Sequence, residues 1–127
     1  MKNELYIPDS HLRLEERPDG SVRISLSAHL LSLLGTPSFV GISAEPGFCI
    51  QPNVPFASVE TDKTAYDVAL PFRASFVAAN PDVVANPAAL RGDAQGGGWL
   101  CDVRPAAGGG WRDGLLDEVA YASYVQP

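Results

Sequence analysis

A chain of 127 residues, 46 % of them apolar and spread along its whole length, is long enough for one hydrophobic core and too apolar to stay disordered. Its formal net charge of −6 argues against nucleic acid or an anionic membrane as a partner, since phosphates are held by Lys and Arg, and suits docking on basic patches of other proteins. No apolar run approaches the roughly 20 residues of a membrane span, and Met1 to Ser10 lacks the basic and apolar regions of a signal peptide, so the expectation is one cytoplasmic domain over 1–127.

In chain order, Leu12-Arg13-Leu14-Glu15 and Val22-Arg23-Ile24-Ser25-Leu26 alternate apolar and polar residues, the pattern of half-buried strands. Pro18-Asp19-Gly20 between them is hairpin chemistry. Ser27 can cap a short helix carrying Leu30, Leu31, Leu33 and Leu34, which Gly35 stops. Phe39 to Ile42, Val54 to Val59, Tyr66 to Leu70, Ser75 to Ala79 and Trp99 to Arg104 read as further strands. Asn86-Pro87 can open a turn of helix, and Asp113 can cap a last helix with Leu115, Leu116, Val119, Ala120 and Ser123 on one stripe. The glycine clusters at 96–98 and 108–110 are short enough to be loops. Many short strands punctuated by Pro and Gly predict an antiparallel sandwich or barrel with peripheral helices.

Chemistry-bearing residues are few. Cys49 and Cys101 lack metal-type or redox-type spacing and read as two small buried side chains. His11 and His29 are far apart in sequence, without a Cys or His neighbour, so no metal site is expected. Seven arginines carry nearly all the positive charge, and the only lysines are Lys2 and Lys63. Arginine does not form an acyl amide under mild conditions, whereas a lysine amine that gives up its proton does.

Lys63 lies in Val59-Glu60-Thr61-Asp62-Lys63-Thr64-Ala65-Tyr66-Asp67-Val68. The strands on either side leave room only for a tight turn, which sets the lysine at or near a hairpin tip, on a short and stiff mount. Glu60, Asp62 and Asp67 surround it with negative charge, opposite to the buried, charge-poor pocket of a catalytic or Schiff-base lysine. Any chemistry then belongs to something attached to Lys63. The plain alternative is an ordinary exposed lysine in an acidic turn.

These segments together resemble the H-protein of the glycine cleavage system, within the lipoyl/biotinyl-carrier superfamily. The likeness runs from about His11 to Val125. His11 stands where the family has His-Glu-Trp; Leu33-Leu34-Gly35 with Phe39-Val40 is similar to its Leu-Gly and Val-Phe-Val segment. Val59 to Lys63 resembles the attachment strand and turn. Asn80, Pro87, Gly96-Gly97-Gly98-Trp99-Leu100 and Gly114 to Tyr121 keep the family's order. Glu-Thr-Asp-Lys is closer to the lipoyl domains of 2-oxoacid dehydrogenases than to the usual Glu-Ser-Val-Lys, and Asp62 and Thr64 in place of methionines argue against biotin. Three departures stand out: Leu12-Arg13 replaces Glu-Trp, Ala74 replaces the glycine of Pro-x-Ser-Gly, and Ser43 to Gly47 is one residue longer. Alanine at a position requiring positive φ would cost about 1 kcal/mol or more.

The resemblance implies a mainly β fold, a lipoyl-domain barrel-sandwich hybrid with peripheral short helices and a C-terminal helix. It implies a non-catalytic carrier with lipoic acid on Lys63, recognised by its modifying enzyme through Glu60, Asp62 and Gly47. The implied partners are glycine decarboxylase, an aminomethyltransferase, dihydrolipoyl dehydrogenase, and a lipoyl/octanoyl transferase or lipoate ligase. Two rivals remain: a lipoyl carrier paralogue serving sulfur oxidation or lipoyl relay, and an unmodified β-rich binding module using Trp99, Trp111, Tyr121 and Tyr124. A hydrolase has little support, because neither histidine lies in a nucleophile motif.

Overall fold

The alternating segments form a hairpin, β2 (Leu12–Glu16) and β3 (Val22–Leu26), paired in register from Leu12 opposite Leu26 to Glu16 opposite Val22. The turn between them is closed by Asp19, whose Oδ1 accepts both the backbone N–H and the hydroxyl of Ser21, at 2.9 and 2.6 Å. The structure, a computed structural model, describes residues 4–92, 97–108 and 110–125; Lys2, Gly96 and Gly109, which entered the sequence reading, lie outside them. A short strand that the sequence did not announce, β1 (Glu4–Tyr6), adds to the outer edge of β2.

Ser27 caps the first helix as expected. Its hydroxyl accepts the N–H of Leu30 at 3.1 Å, and α1 (Ala28–Leu34) ends at Gly35, where φ is +89°. Leu30, Leu31 and Leu34 turn inward, while Leu33 stays 56 % exposed. The chain continues through β4 (Pro37–Ile42), β5 (Cys49–Ile50), β6 (Ala57–Thr61), β7 (Ala65–Val68) and β8 (Ala74–Ala79). Then follow α2 (Pro81–Ala85), a 3-10 turn (Pro87–Arg91), β9 (Cys101–Pro105) and α3 (Glu118–Val125).

The strands form two antiparallel sheets, a six-stranded one in the order β1-β2-β3-β9-β8-β5 and a three-stranded one in the order β4-β6-β7. Inward side chains from both, among them Leu14, Ile24, Val103 and Phe76 from the first and Val40, Val59 and Val68 from the second, join one buried cluster. Phe56 and Phe76 meet edge to face across it, with ring centroids 6.3 Å apart. This is the mainly β, barrel-sandwich arrangement with peripheral helices and a C-terminal helix that the sequence led us to expect.

Several local expectations are corrected. The strand expected from Val54 begins at Ala57, and Val54 is 52 % exposed. Asp113 caps no helix: its N–H closes a turn onto the Gly110 carbonyl, and Leu116 exchanges two backbone hydrogen bonds with Tyr6, an extended pairing that a helix could not make. The cap is Asp117, whose carboxylate accepts the N–H of Ala120 at 2.8 Å. Ala74 needs no positive φ. It lies in β8, paired with Ile50 and Pro105, so the expected cost does not arise.

Of the two cysteines only Cys101 is buried, and burial pushes its thiol far up; Cys49 is exposed at a short sheet edge. His11 and His29, distant in sequence, touch with ring centroids 4.7 Å apart. Arg13, a polar position of the alternation, is 6 % exposed. It pairs with Glu4 at 2.7 Å, because β1 brings that carboxylate alongside.

Candidate functional site

The β6–β7 hairpin carries the lysine. Alternation sends Val59 inward, fully buried, and leaves Glu60 outside, opposite Ala65. The ladder closes at Thr61, whose N–H donates to the Thr64 carbonyl at 2.9 Å, so Asp62 and Lys63 form the tip. The reciprocal contact does not use the Thr61 carbonyl. Instead the Thr61 hydroxyl oxygen accepts the backbone N–H of Lys63 at 3.1 Å and of Thr64 at 3.3 Å. A threonine hydroxyl that mimics a backbone acceptor is the chemistry of a side-chain-closed turn.

The hairpin is braced on both flanks. On one side β4 bulges between Pro37 and Phe39, and the hydroxyl of Ser38 donates to the Glu60 carbonyl at 3.2 Å. On the other, Tyr66 of β7 donates its hydroxyl to the Ser10 carbonyl at 2.5 Å. Burial pushes that phenol up to about 12, so it stays a donor through the neutral range.

Lys63 itself is exposed. Among the described residues its amine enters no ion pair or hydrogen bond. Its Cε runs 3.9 Å from where a Cβ on Gly35 would stand, so the stem lies beside the end of α1. Glu60, Asp62 and Asp67 are all exposed; Asp62 shares the tip with Lys63, while Asp67 lies further down β7, opposite Ser58. Phe39, 51 % exposed, pairs with Glu60 in the ladder and folds its ring over Gly41, where a Cβ would come within 2.9 Å of it.

Of the sequence-derived site residues, Lys63, Glu60 and Asp62 are brought together on one hairpin. Gly47 is not with them. It turns the chain at φ +90° and donates its N–H to Phe76 of β8, in the six-stranded sheet. Thr61, Ser38, Tyr66 and Gly35 were missed as supports of the turn. Thr61, two residues before Lys63, carried a readable signal, since Ser and Thr favour such turns. Ser38 and Gly35 are neighbours only in space, and the partner of Tyr66, Ser10, is far away in sequence.

Three of the four aromatic residues considered for a binding module serve packing, and Tyr124 is 49 % exposed. Trp99 lies half-buried under the Arg23 guanidinium, 3.8 Å from its ring centre, and Trp111 tilts on Phe72 at 5.6 Å. Tyr121 is buried and stacked on Tyr6 at 4.3 Å; Tyr124 donates to Asp9 at 2.7 Å. Among the described residues, no group of three or more His, Cys, Asp or Glu is placed to hold a metal. No described helix is long and apolar enough to cross a membrane.

Against known proteins, the family model described as glycine cleavage H-protein matches residues 5–127. A glycine cleavage system H protein of Chromobacterium violaceum is 33 % identical over 96 % of this chain and 94 % of its own length. One from Neisseria meningitidis is 36 % identical over 96 % of this chain and 94 % of its own. A crystal structure of a glycine cleavage system H protein from Mycobacterium marinum superposes with a TM-score of 0.81 at 29 % identity, covering 97 % of this chain and 96 % of that one.

Proposed function

The chain belongs to the glycine cleavage H-protein family, and from that premise we propose that Lys63 is the residue that carries its lipoyl group. Proteins of this family hold lipoate covalently on a lysine, and the chain is a lipoyl carrier of the glycine cleavage system, a carrier subunit rather than a catalyst.

The observation that supports Lys63 is its mount. A carrier lysine must be reached by a modifying enzyme and then by partner active sites, which demands exposure, yet it must stay at a fixed place. A two-residue tip on a ladder braced from β4 and from Ser10 meets both demands. The residues also fit the group: the amine has no competing partner among the described residues, and the stem has room beside Gly35.

Attachment joins Nζ to the carboxyl carbon of activated lipoate. A C–N bond forms, the activating group leaves with its bonding pair, and the ammonium gives up two protons, one before attack and one on amide formation. The positive charge disappears, and the acidic side chains of Glu60 and Asp62 are left at and beside the tip. Glu60 and Asp62 are the proposed contacts for a lipoyl/octanoyl transferase or lipoate ligase, with Gly47, in the turn between β4 and β5, as a further proposed one.

When attached, the lipoyl group supplies a disulfide that takes up an aminomethyl group and electrons and is later reoxidised. The proposed partners are accordingly glycine decarboxylase, an aminomethyltransferase and dihydrolipoyl dehydrogenase. Tethering keeps the intermediate at high effective concentration as it passes between them. Lys63→Arg, made in a lipoate-supplied host, is expected to keep the fold and lose the lipoyl mass. A folded variant that still gains the lipoyl mass would contradict the assignment.

A further inference from the structure

We propose that the hydroxyl of Thr61 is a positioning group for lipoylation: by closing the turn from within, it sets the direction in which Lys63 leaves the hairpin. The inference rests on Lys63 being the attachment residue and adds a second residue with a distinct role.

In a two-residue hairpin, the N–H after the tip ordinarily donates to the carbonyl before it. Here Thr64 N–H turns to the Thr61 hydroxyl at 3.3 Å, and Lys63 N–H joins it at 3.1 Å. The hydroxyl hydrogen points back to the Thr64 carbonyl at 3.4 Å. One oxygen therefore fixes the peptide groups on both sides of the Lys63 Cα, which defines where its side chain starts. All three contacts are exposed, so water can replace them at little cost in stability. A water that accepts from both N–H groups is not tied to the chain, and so does not fix their direction. Loss of the hydroxyl should thus leave the fold and the acidic recognition residues in place while the amine wanders.

The role depends on the oxygen and not on the methyl group. Serine keeps the acceptor; valine keeps the shape and β-branching without it. Glu60 and Asp62, the proposed recognition contacts, lie on either side of Thr61 and are unaltered by either substitution.

The test is the rate of modification of purified unlipoylated protein by a lipoate ligase with lipoyl adenylate, read by intact mass, for parent, Thr61→Val, Thr61→Ser and Lys63→Arg. Thr61→Val is expected to lower kcat by about tenfold, in line with what misplacement of a reacting group costs, while KM holds within about twofold. Thr61→Ser is expected to modify at a rate within about twofold of the parent, and the circular dichroism and melting of both to match it. Parent-like kcat in folded Thr61→Val, or a serine variant as slow as the valine one, overturns the proposal. A rise in KM alone also overturns it, since that would mark Thr61 as a contact and not a positioning group. If Thr61→Val melts well below the parent, the serine comparison decides: a stable serine variant slowed tenfold is contrary, and one at parent rate supports the oxygen's role. Lipoylation of Lys63→Arg would refute the attachment site itself, and the proposal with it.

Discussion

His11 holds its backbone at φ +62°, a conformation that few side chains adopt, and its Nδ1 lies 2.8 Å from the Tyr121 hydroxyl. That hydroxyl is 3.1 Å from Ser27 Oγ, which already accepts the N–H of Leu30. The Leu30 N–H donates to Ser27, while either hydroxyl can donate in the Ser27–Tyr121 contact and the tautomer of His11 sets the direction of the Tyr121–His11 contact. A protonated His11 can only donate at Nδ1, to the Tyr121 oxygen. Burial first, and then the neighbouring His29 ring, hold His11 below its usual 6.5, with Asp9 opposing; Tyr121 and Tyr124 complete its surroundings. A histidine depressed in the folded state contributes stability that is present above its unfolded value and is lost as pH falls below 6.5 through the lower folded value. Melting measured from neutral pH downward should therefore show the parent losing stability relative to His11→Asn, a side chain that tolerates this φ. Parallel curves for the two would contradict the lowering of His11.

At the scale of elements, Tyr121 is the buried residue of α3, and Tyr124 adds a hydrogen bond to Asp9. Val119, on the stripe expected to face the core, is 78 % exposed, whereas Tyr121, not on that stripe, is only 6 % exposed. Tyr121 stacks on Tyr6 of β1 and bridges His11 to Ser27. Tyr121→Ala should cost about 3 kcal/mol, as for other buried aromatics, and Val119→Lys should stay within about 0.5 kcal/mol. Urea midpoints check both, and equal losses for the two would be contrary.

The elements also differ in how well they could be read. β2, β3, β7 and β8 follow from alternation, and Ser27 with Gly35 frames α1, because caps and alternation are local chemistry. β1 and β5, of three and two residues, are too short for any periodicity; pairing alone defines them. Asp113 had the residue type of a cap, but the pairing of Leu116 with Tyr6 overrides local preference until Asp117. The hairpin of Lys63 was legible because strand, turn and strand lie within ten residues. Its braces at Ser38 and Ser10 were not, since they come from more than twenty residues away.

Over the whole molecule, the two sheets share one core and leave the outer face of the smaller sheet to carry the acidic hairpin. A net charge of −6 matches that face and suits partners with basic surfaces. Arginine supplies almost every cation, and only two amines on lysine side chains exist for acylation, Lys2 and Lys63. Peptide mapping of protein fully lipoylated in a lipoate-supplied host therefore asks the question directly. The account predicts the lipoyl group on the peptide containing Lys63 and none on the peptide containing Lys2. Lipoyl mass on Lys2 with Lys63 bare would contradict it.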